Sequence, residues 1–162
     1  MAFTYFLPDE NGNKTEHGTT SNAVIIIGAN GSGKSKLGAW IEQQNMDQIH
    51  RIGAQRNLNF NENIPLKSYS QAEDFVLYGT DDKSSQRGKG PRWAWGKYTT
   101  KLIDDFDNVL AALIALKNND NEKFVNECKA APTREERPDP PFTSIDKLTQ
   151  IWNIIFPQRK LR

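Results

Sequence analysis

The chain has 162 residues, of which 36% are hydrophobic, and a formal net charge of +1 at pH 7. This length suits about one domain. The almost neutral charge excludes the global basic field that would draw the whole molecule to nucleic acid or to an anionic membrane.

The compartment can be predicted from what the sequence lacks. Its single cysteine, Cys128, excludes a disulfide within the chain and is typical of a reducing compartment. No run of 18 apolar residues is long enough to span a bilayer. Residues 1–7 carry neither the basic region nor the long apolar core of a signal peptide. We therefore expect a cytoplasmic protein without a membrane partner.

The first predicted element is a β-strand at residues 3–7 (FTYFL), which are aromatic and β-branched. The PDENG run at residues 8–12 predicts a turn. Residues 13–20 are polar and form either the returning arm of a hairpin or a loop. Tyr5 and Phe6 could stack on a nucleotide base, although core packing is the commoner role of a strand aromatic.

The most informative stretch is residues 24–35, which read VIIIGANGSGKS. The apolar, β-branched run at 24–27 predicts a buried strand, and residues 36–44 predict a helix. Between them, residues 28–35 match G-x-x-x-x-G-K-[ST], the phosphate-binding P-loop. The motif thus stands between a strand and a helix N-terminus, where its chemistry requires it. The alternative is a glycine-rich turn that contains a lysine by chance.

The residue types of this motif explain the predicted chemistry. Glycines let the main chain curl tightly, so that its N–H groups and the positive end of the helix dipole converge on a polyphosphate. Lys34 is expected to reach the β- and γ-phosphates of ATP as a catalytic cation, and Ser35 to place its hydroxyl on Mg²⁺. The predicted nucleotide-binding residues are Gly28, Asn30, Gly31, Ser32, Gly33, Lys34, Ser35 and Lys36.

A further strand, the third, is predicted at residues 48–54, and it ends in the polar cluster Gln55-Arg56-Asn57. The carboxyl end of a strand beside a P-loop lies in the crevice where ligands bind. Gln55 is therefore a candidate metal ligand and catalytic residue, orienting Mg²⁺ or the attacking water. Arg56 could contact phosphate or a neighbouring chain. The alternative for both is a solvated strand end.

Residues 68–78 are ambiguous, with a helix predicted from residue 70 and a strand-like end at 75–78. The glycines and proline of residues 79–100 predict a loop. We call residues 83–101 the basic loop, because they contain no acid and interleave cations with aromatic residues, a pattern that can bind nucleic acid. The alternatives are a protein partner, or a mobile loop fixed by its tryptophans. The cations are Lys83, Arg87, Lys89, Arg92, Lys97 and Lys101, and the aromatic residues are Trp93, Trp95 and Tyr98.

The remaining chain is predicted to be helical. Apolar residues at a period of 3.6 predict a helix over 102–116. A second helix is predicted over 122–130, after the polar break at 117–121, and residues 131–142 are predicted to form a proline-rich loop. Thr143 and Asp146 match the [ST]-x-x-[DE] start signal of a third helix, which Pro157 ends.

Several parts of a complete P-loop core have no match in this sequence. Such a core needs several parallel strands, whereas the three convincing strands all precede residue 55. No apolar strand after the helices ends in a catalytic acid. Residues 156–162 look like the lead-in to another strand. We therefore expect the chain to be the N-terminal part of a longer ATPase.

The order strand, P-loop, helix, strand ending in Ala-Gln-Arg and helical insert resembles the ABC-type ATPases. More narrowly, it is similar to the chromosome-maintenance and DNA-repair ATPases and to the AAA-type ATPases of bacterial antiphage systems (retron- and Septu-like). The residues that carry the resemblance are SNAVIIIGANGSGKS at 21–35, RIGAQRNL at 51–58 and IDKLTQIWNIIFPQRKL at 145–161. It covers most of this chain and the N-terminal half of such a family member.

The resemblance implies an α/β P-loop NTPase fold, as an incomplete ABC-type nucleotide-binding domain with a helical lobe. Residues 1–57 would hold the strands and the P-loop, residues 58–157 the mostly helical lobe, and residues 158–162 the lead-in to the remainder. Gln55 would be the glutamine that senses Mg²⁺ and the γ-phosphate. The signature motif, the Walker B acids and the switch histidine have no match.

Three functions remain open at this point. The first is ATP binding, with hydrolysis in a full-length dimer that sandwiches two nucleotides and controls an effector protein or acts on nucleic acid, as in antiphage defence. The second is a complete small kinase of a nucleotide or metabolite, in which Arg87 and Arg92 would form a lid. The third is a non-enzymatic module in which nucleotide only stabilises an assembly.

Overall fold

The computed structural model describes residues 3–53, 56–57 and 63–159. These form a small α/β structure with one two-stranded antiparallel sheet and four α-helices. The strands are β1 (Phe3–Pro8) and β2 (Lys14–Thr19), and the helices are α1 (Lys34–Gln44), α2 (Tyr69–Tyr78), α3 (Phe106–Ala130) and α4 (Ser144–Ile155). None of the described helices combines the length and the apolarity that crossing a bilayer demands.

The N-terminal hairpin confirms the predicted strand and turn, and residues 14–19 are its returning arm. β1 and β2 pair from Phe3 opposite Thr19 to Pro8 opposite Lys14. The Asp9 carboxylate closes the turn by accepting bonds from the Asn13 side chain and main chain and from the Asn11 N–H. These bonds, that of the Asn13 side chain first, lower the pKa of Asp9.

Residues 24–27 were predicted as a buried strand, and in the structure they form no strand ladder with any described residue. Ile25 is 83% exposed and Ile27 is 91% exposed. β-branched residues are common in strands because their side chains pack well against neighbouring strands. Their own backbone has little preference for a strand when such neighbours are missing. No described strand pairs with this segment through main-chain hydrogen bonds, so it does not become part of a sheet.

The strand predicted at 48–54 is also absent from its described part, residues 48–53. The chain pairs slightly later, where Arg56 and Ile103 form an isolated parallel bridge. The Asn57 N–H donates to the Ile103 carbonyl oxygen across 2.9 Å. This pairing occupies the residues just before α3, which explains why that helix begins at Phe106 and not at residue 102.

α2 and α3 are each one continuous helix, whereas the sequence predicts a strand-like end for α2 and two separate helices in place of α3. Residues 75–78 are the last turn of α2 and not a strand, because Ser68 and Gln71 form a capping box at its start and Gly79 caps its end at φ +77°. α3 runs unbroken through the polar residues 117–121. That run contains neither glycine nor proline, and its polar residues each cost a helix only a fraction of a kcal/mol.

The start of α4 is as predicted. The Thr143 hydroxyl accepts from the Asp146 N–H, and the Asp146 carboxylate accepts from both the N–H and the hydroxyl of Thr143. These bonds satisfy N–H groups that no helical carbonyl can reach. They also hold the pKa of Asp146 below its ordinary value.

Loss of this cap is expected to weaken α4. Thr143→Ala should lower the opening free energy of the α4 amides by about 1 kcal/mol, because the first-turn N–H groups lose their acceptor. Native-state hydrogen exchange measures this. Thr149→Ala is the control, since the Thr149 hydroxyl only bonds the Ile145 carbonyl oxygen of its own helix and alanine favours a helix. Equal effects of the two variants would contradict the capping role.

The interior of the described structure is built around Trp93, whose side chain is 1% exposed. The Arg51 guanidinium lies over its ring at 4.0 Å from the centroid. Ala39 of α1, Ala72 of α2 and Ala111 of α3 are also buried. The basic loop, which includes the short 3-10 turns Lys83–Ser85 and Arg87–Lys89, therefore supplies the centre of the core.

Candidate functional site

Residues 28–35 form an exposed curl that runs into the N-terminus of α1. The Ser32 N–H donates to the Ala29 carbonyl oxygen across 3.2 Å and closes a turn. Gly31 and Gly33 have φ angles of +82° and +88°. These lie in the left-handed region, which is strained for other residues and open to glycine. Gly31 and Gly33 therefore occupy positions of the curl that other residues would adopt only with strain.

Gly28 is needed for space. A Cβ atom at this position would lie 2.6 Å from the Ser32 Oγ and 4.0 Å from the Lys34 Cδ. Any side chain here would compete with the Ser32 hydroxyl inside the curl. Glycine leaves the main chain open to close approach by a ligand.

The Lys34 side chain folds back over the curl. Its Nζ donates to the Gly28 carbonyl oxygen at 2.6 Å and to the Ala29 carbonyl oxygen at 2.7 Å, and it lies 3.5 Å from the Ser32 Oγ. Its partners are therefore all neutral. An anionic oxygen is a stronger acceptor for an ammonium group than a neutral carbonyl.

The N-terminus of α1 adds donors to the same place. Gly33 is its N-cap and forms no side-chain cap bond, and the first turn contains no acidic residue. The first N–H groups of a helix have no helical acceptor, and the helix dipole is positive there. Such an end is suited to phosphate.

The structure brings together all the residues predicted to bind nucleotide, in one exposed loop and helix start. They are Gly28, Asn30, Gly31, Ser32, Gly33, Lys34, Ser35 and Lys36. Gln55, the predicted second metal ligand and catalytic residue, lies outside the described residues. Among the described residues no group of three or more His, Cys, Asp or Glu could hold a metal ion.

A buried carboxylate on α1 was missed by the sequence analysis. Glu42 is completely buried, and its Oε2 accepts from the Arg51 Nε at 3.1 Å while its Oε1 lies 3.4 Å from the Lys89 Nζ. Lys89 also donates to the Ile49 carbonyl oxygen. One acid on α1 thus holds both the segment after that helix and the basic loop.

Asp105 is the second shared carboxylate. Its Oδ1 accepts from the Arg56 Nη1 at 2.9 Å, and its Oδ2 lies 3.6 Å from the Arg92 Nη2. Arg92 also donates to the Val76 carbonyl oxygen of α2. Arg56 was a candidate for phosphate or a neighbouring chain, and here it is an internal ion-pair partner. We call Glu42, Asp105 and their four cations the buried ion network.

Desolvation is the main electrostatic cost of the network. Burial lowers the pKa of Lys89, and the charge of Glu42 opposes this shift. Burial likewise lowers the pKa of Arg92, opposed by Asp105 and then Glu42. The Nε atom of Arg92 and the Nε1 atom of Trp93 are buried without a hydrogen-bond partner among the described residues. The two carboxylates thus offset part of the cost of burying these cations.

The network changes how the basic loop must be interpreted. Lys89, Arg92 and Trp93 are buried, Lys83 lies 2.5 Å from the Asp74 carboxylate, and Lys101 bonds a main-chain carbonyl. Of the cations and aromatic residues predicted to bind nucleic acid, the exposed ones without a described ion pair are Arg87, Lys97 and Trp95. These three residues form a much weaker surface for nucleic acid than the nine residues of the whole pattern. Burial of Arg92 also removes one of the two lid arginines of the kinase hypothesis.

Tyr5 and Phe6, the candidate base-stacking residues, line a cavity away from the curl at residues 28–35. It has a volume of about 560 Å³ and lies between the hairpin, residues 22–26 and α1. Tyr5 stacks on His17 at 5.5 Å between ring centroids. None of residues 28–36 lines this cavity, so the structure does not bring these aromatic residues together with the curl.

The chain was compared with protein-family models, with curated proteins and with solved structures, and none of the three comparisons gave a match.

Proposed function

We propose that this chain binds ATP together with Mg²⁺ at residues 28–36. The observation that carries the proposal is the position of the Lys34 ammonium, which lies across the curl on two neutral carbonyl oxygens. Next to it stand a helix N-terminus without a side-chain cap and two glycines at positive φ. A cation, free N–H donors and close main-chain access are together what a polyphosphate requires.

Each residue has a distinct role in this proposal. Gly28, Gly31 and Gly33 keep the main chain curled and accessible. The N–H groups of residues 30–36 bind phosphate oxygens, except that of Ser32, which donates to the Ala29 carbonyl oxygen. Lys34 exchanges its carbonyl partners for the β- and γ-phosphates, and the Ser35 hydroxyl is a ligand of the metal. Mg²⁺, when bound, neutralises phosphate charge and fixes the triphosphate. Gln55 is proposed to orient the metal or the attacking water.

The proposed wider setting follows from the resemblance to ABC-type ATPases. There the chain would be the cytoplasmic, nucleotide-binding part of an ATPase that hydrolyses ATP as a dimer and regulates an effector protein or acts on nucleic acid, as in antiphage defence. The apolar and largely exposed residues 24–27 support this setting. A strand that is apolar on both faces is typical of a parallel sheet with helices on both sides.

The test is equilibrium dialysis of the full chain with ATP, ADP, AMP and adenosine, each with and without Mg²⁺. Affinity should rise with the number of phosphates, by about tenfold or more from AMP to ATP, because each phosphate adds charge-assisted bonds. Adenosine should not bind. Equal affinity for adenosine and ATP, or no binding of either, would overturn the proposal. Phosphorylation of a small acceptor by the purified chain would favour the kinase instead.

A further inference from the structure

A small cavity borders the P-loop on the side of the basic loop. Its volume is about 230 Å³, and Ser35 lines it together with Arg51, Trp93, Thr100 and Lys101. Ser35 is the residue proposed to hold the metal. The cavity is therefore the part of the described structure where the basic loop comes next to the proposed triphosphate site.

The charge of this cavity is positive. None of the described residues that line it is acidic, and two of them, Arg51 and Lys101, are cationic. Arg51 is already engaged, since it pairs with Glu42, donates to the Tyr98 carbonyl oxygen and covers the Trp93 ring. Its charge is compensated and its position is fixed.

Lys101 differs from Arg51 in both respects. Its Nζ donates to the Pro91 carbonyl oxygen across 3.2 Å, and no described carboxylate forms an ion pair with it. An ammonium on a flexible four-carbon stem can leave a neutral acceptor for a charged one with little reorganisation. Lys101 is thus the uncompensated cation of the cavity beside Ser35.

We propose that Lys101 binds the terminal phosphate of the nucleotide held by residues 28–36, and so makes the site prefer a triphosphate to a diphosphate. This inference rests on the proposed function. The terminal phosphate supplies the anionic acceptor that Lys101 lacks. The basic loop, fixed to α1 through Lys89 and Glu42, keeps this lysine on the same body as the P-loop helix.

The experiment compares the affinities for ATP and ADP in the wild type and in three variants of the full chain. Lys101→Ala and Lys101→Met should each weaken ATP binding by about tenfold or more, as expected for loss of a charge-assisted bond, and should leave ADP binding within about twofold. Met retains most of the apolar stem, which guards against a packing effect. Lys97→Ala is the matched control, because Lys97 is exposed in the same loop and does not line the cavity.

The outcomes separate this inference from the function on which it rests. A wild type that binds neither nucleotide overturns both. A wild type that binds ATP, with an unchanged ATP-to-ADP ratio in both Lys101 variants, overturns the role of Lys101 alone. Equal weakening of ATP and ADP also overturns it, because that result indicates a structural effect. A ratio that falls in the Lys101 variants and not in Lys97→Ala supports it.

Discussion

Lys34→Ala is expected to abolish ATP binding while the fold remains intact. The Lys34 side chain is exposed and its described partners are carbonyl and hydroxyl oxygens of its own loop, so its loss removes little packing. In the bound state the same ammonium would contact two phosphates. Loss of two charge-assisted bonds, each worth about 1.5–3 kcal/mol, corresponds to an affinity at least roughly 100-fold lower. Equilibrium dialysis measures the affinity, and circular dichroism verifies the fold.

Lys36→Ala is the control for this variant. Lys36 is the next lysine along α1, it is exposed, and it is proposed to contribute only its main-chain N–H, which alanine retains. ATP affinity should change by less than about threefold. An unchanged affinity in Lys34→Ala, or an equal loss in both variants, would mean that charge near the loop, and not the position of Lys34, explains binding.

Glu42→Gln is expected to destabilise the protein by about 3–5 kcal/mol, because removal of one charge leaves its buried partners uncompensated. Glu42 is 0% exposed, and the Lys89 side chain beside it is 4% exposed. Glutamine has nearly the same volume, so the loss reports charge and not a cavity. Urea unfolding of the wild type and the variant measures the difference.

The chain offers a surface ion pair as the control. Lys123 and Glu127 lie 3.9 Å apart on α3, and their side chains are 77% and 51% exposed. Glu127→Gln should change the free energy of unfolding by less than about 0.5 kcal/mol, since water screens such pairs. If Glu42→Gln cost no more than Glu127→Gln, the buried ion network would not hold the basic loop to α1.

The features that could be predicted from sequence are local. The curl at 28–35, the hairpin turn at Asp9 and the cap at Thr143 each depend on a few adjacent residues whose backbone or side-chain chemistry allows one arrangement. Glycine at positive φ and a hydroxyl three residues before a carboxylate act over less than one helical turn. Their signals are therefore complete within a short window.

The buried ion network could not be predicted, because its members are far apart in sequence. Glu42 and Lys89 are separated by 47 positions, and a glutamate in a polar helix normally indicates a solvated face. In the same way, the interleaved cations and aromatic residues of the basic loop predict a binding surface, whereas in the structure Glu42 and Asp105 bind two of these cations, Lys89 and Arg92. Tertiary contacts decide which charges are buried.

For residues 24–27 the sequence predicts a strand that the described structure does not contain. Their composition states what surroundings they suit, namely neighbours on both faces, but it does not supply those neighbours. In the described structure the segment has none in a ladder, and Ile25 and Ile27 remain exposed. The curl at residues 28–35 still forms, because it depends on its own glycines and on the start of α1.

The most direct test of the account is an NMR titration of the ¹⁵N-labelled chain with ATP and Mg²⁺. If residues 28–36 bind the triphosphate, the amide signals of Gly31, Gly33 and Ser35 should shift saturably with ATP, and should not shift with adenosine. Amide signals that stay unchanged in this loop, while ATP shifts signals elsewhere in the chain or none at all, would contradict the account.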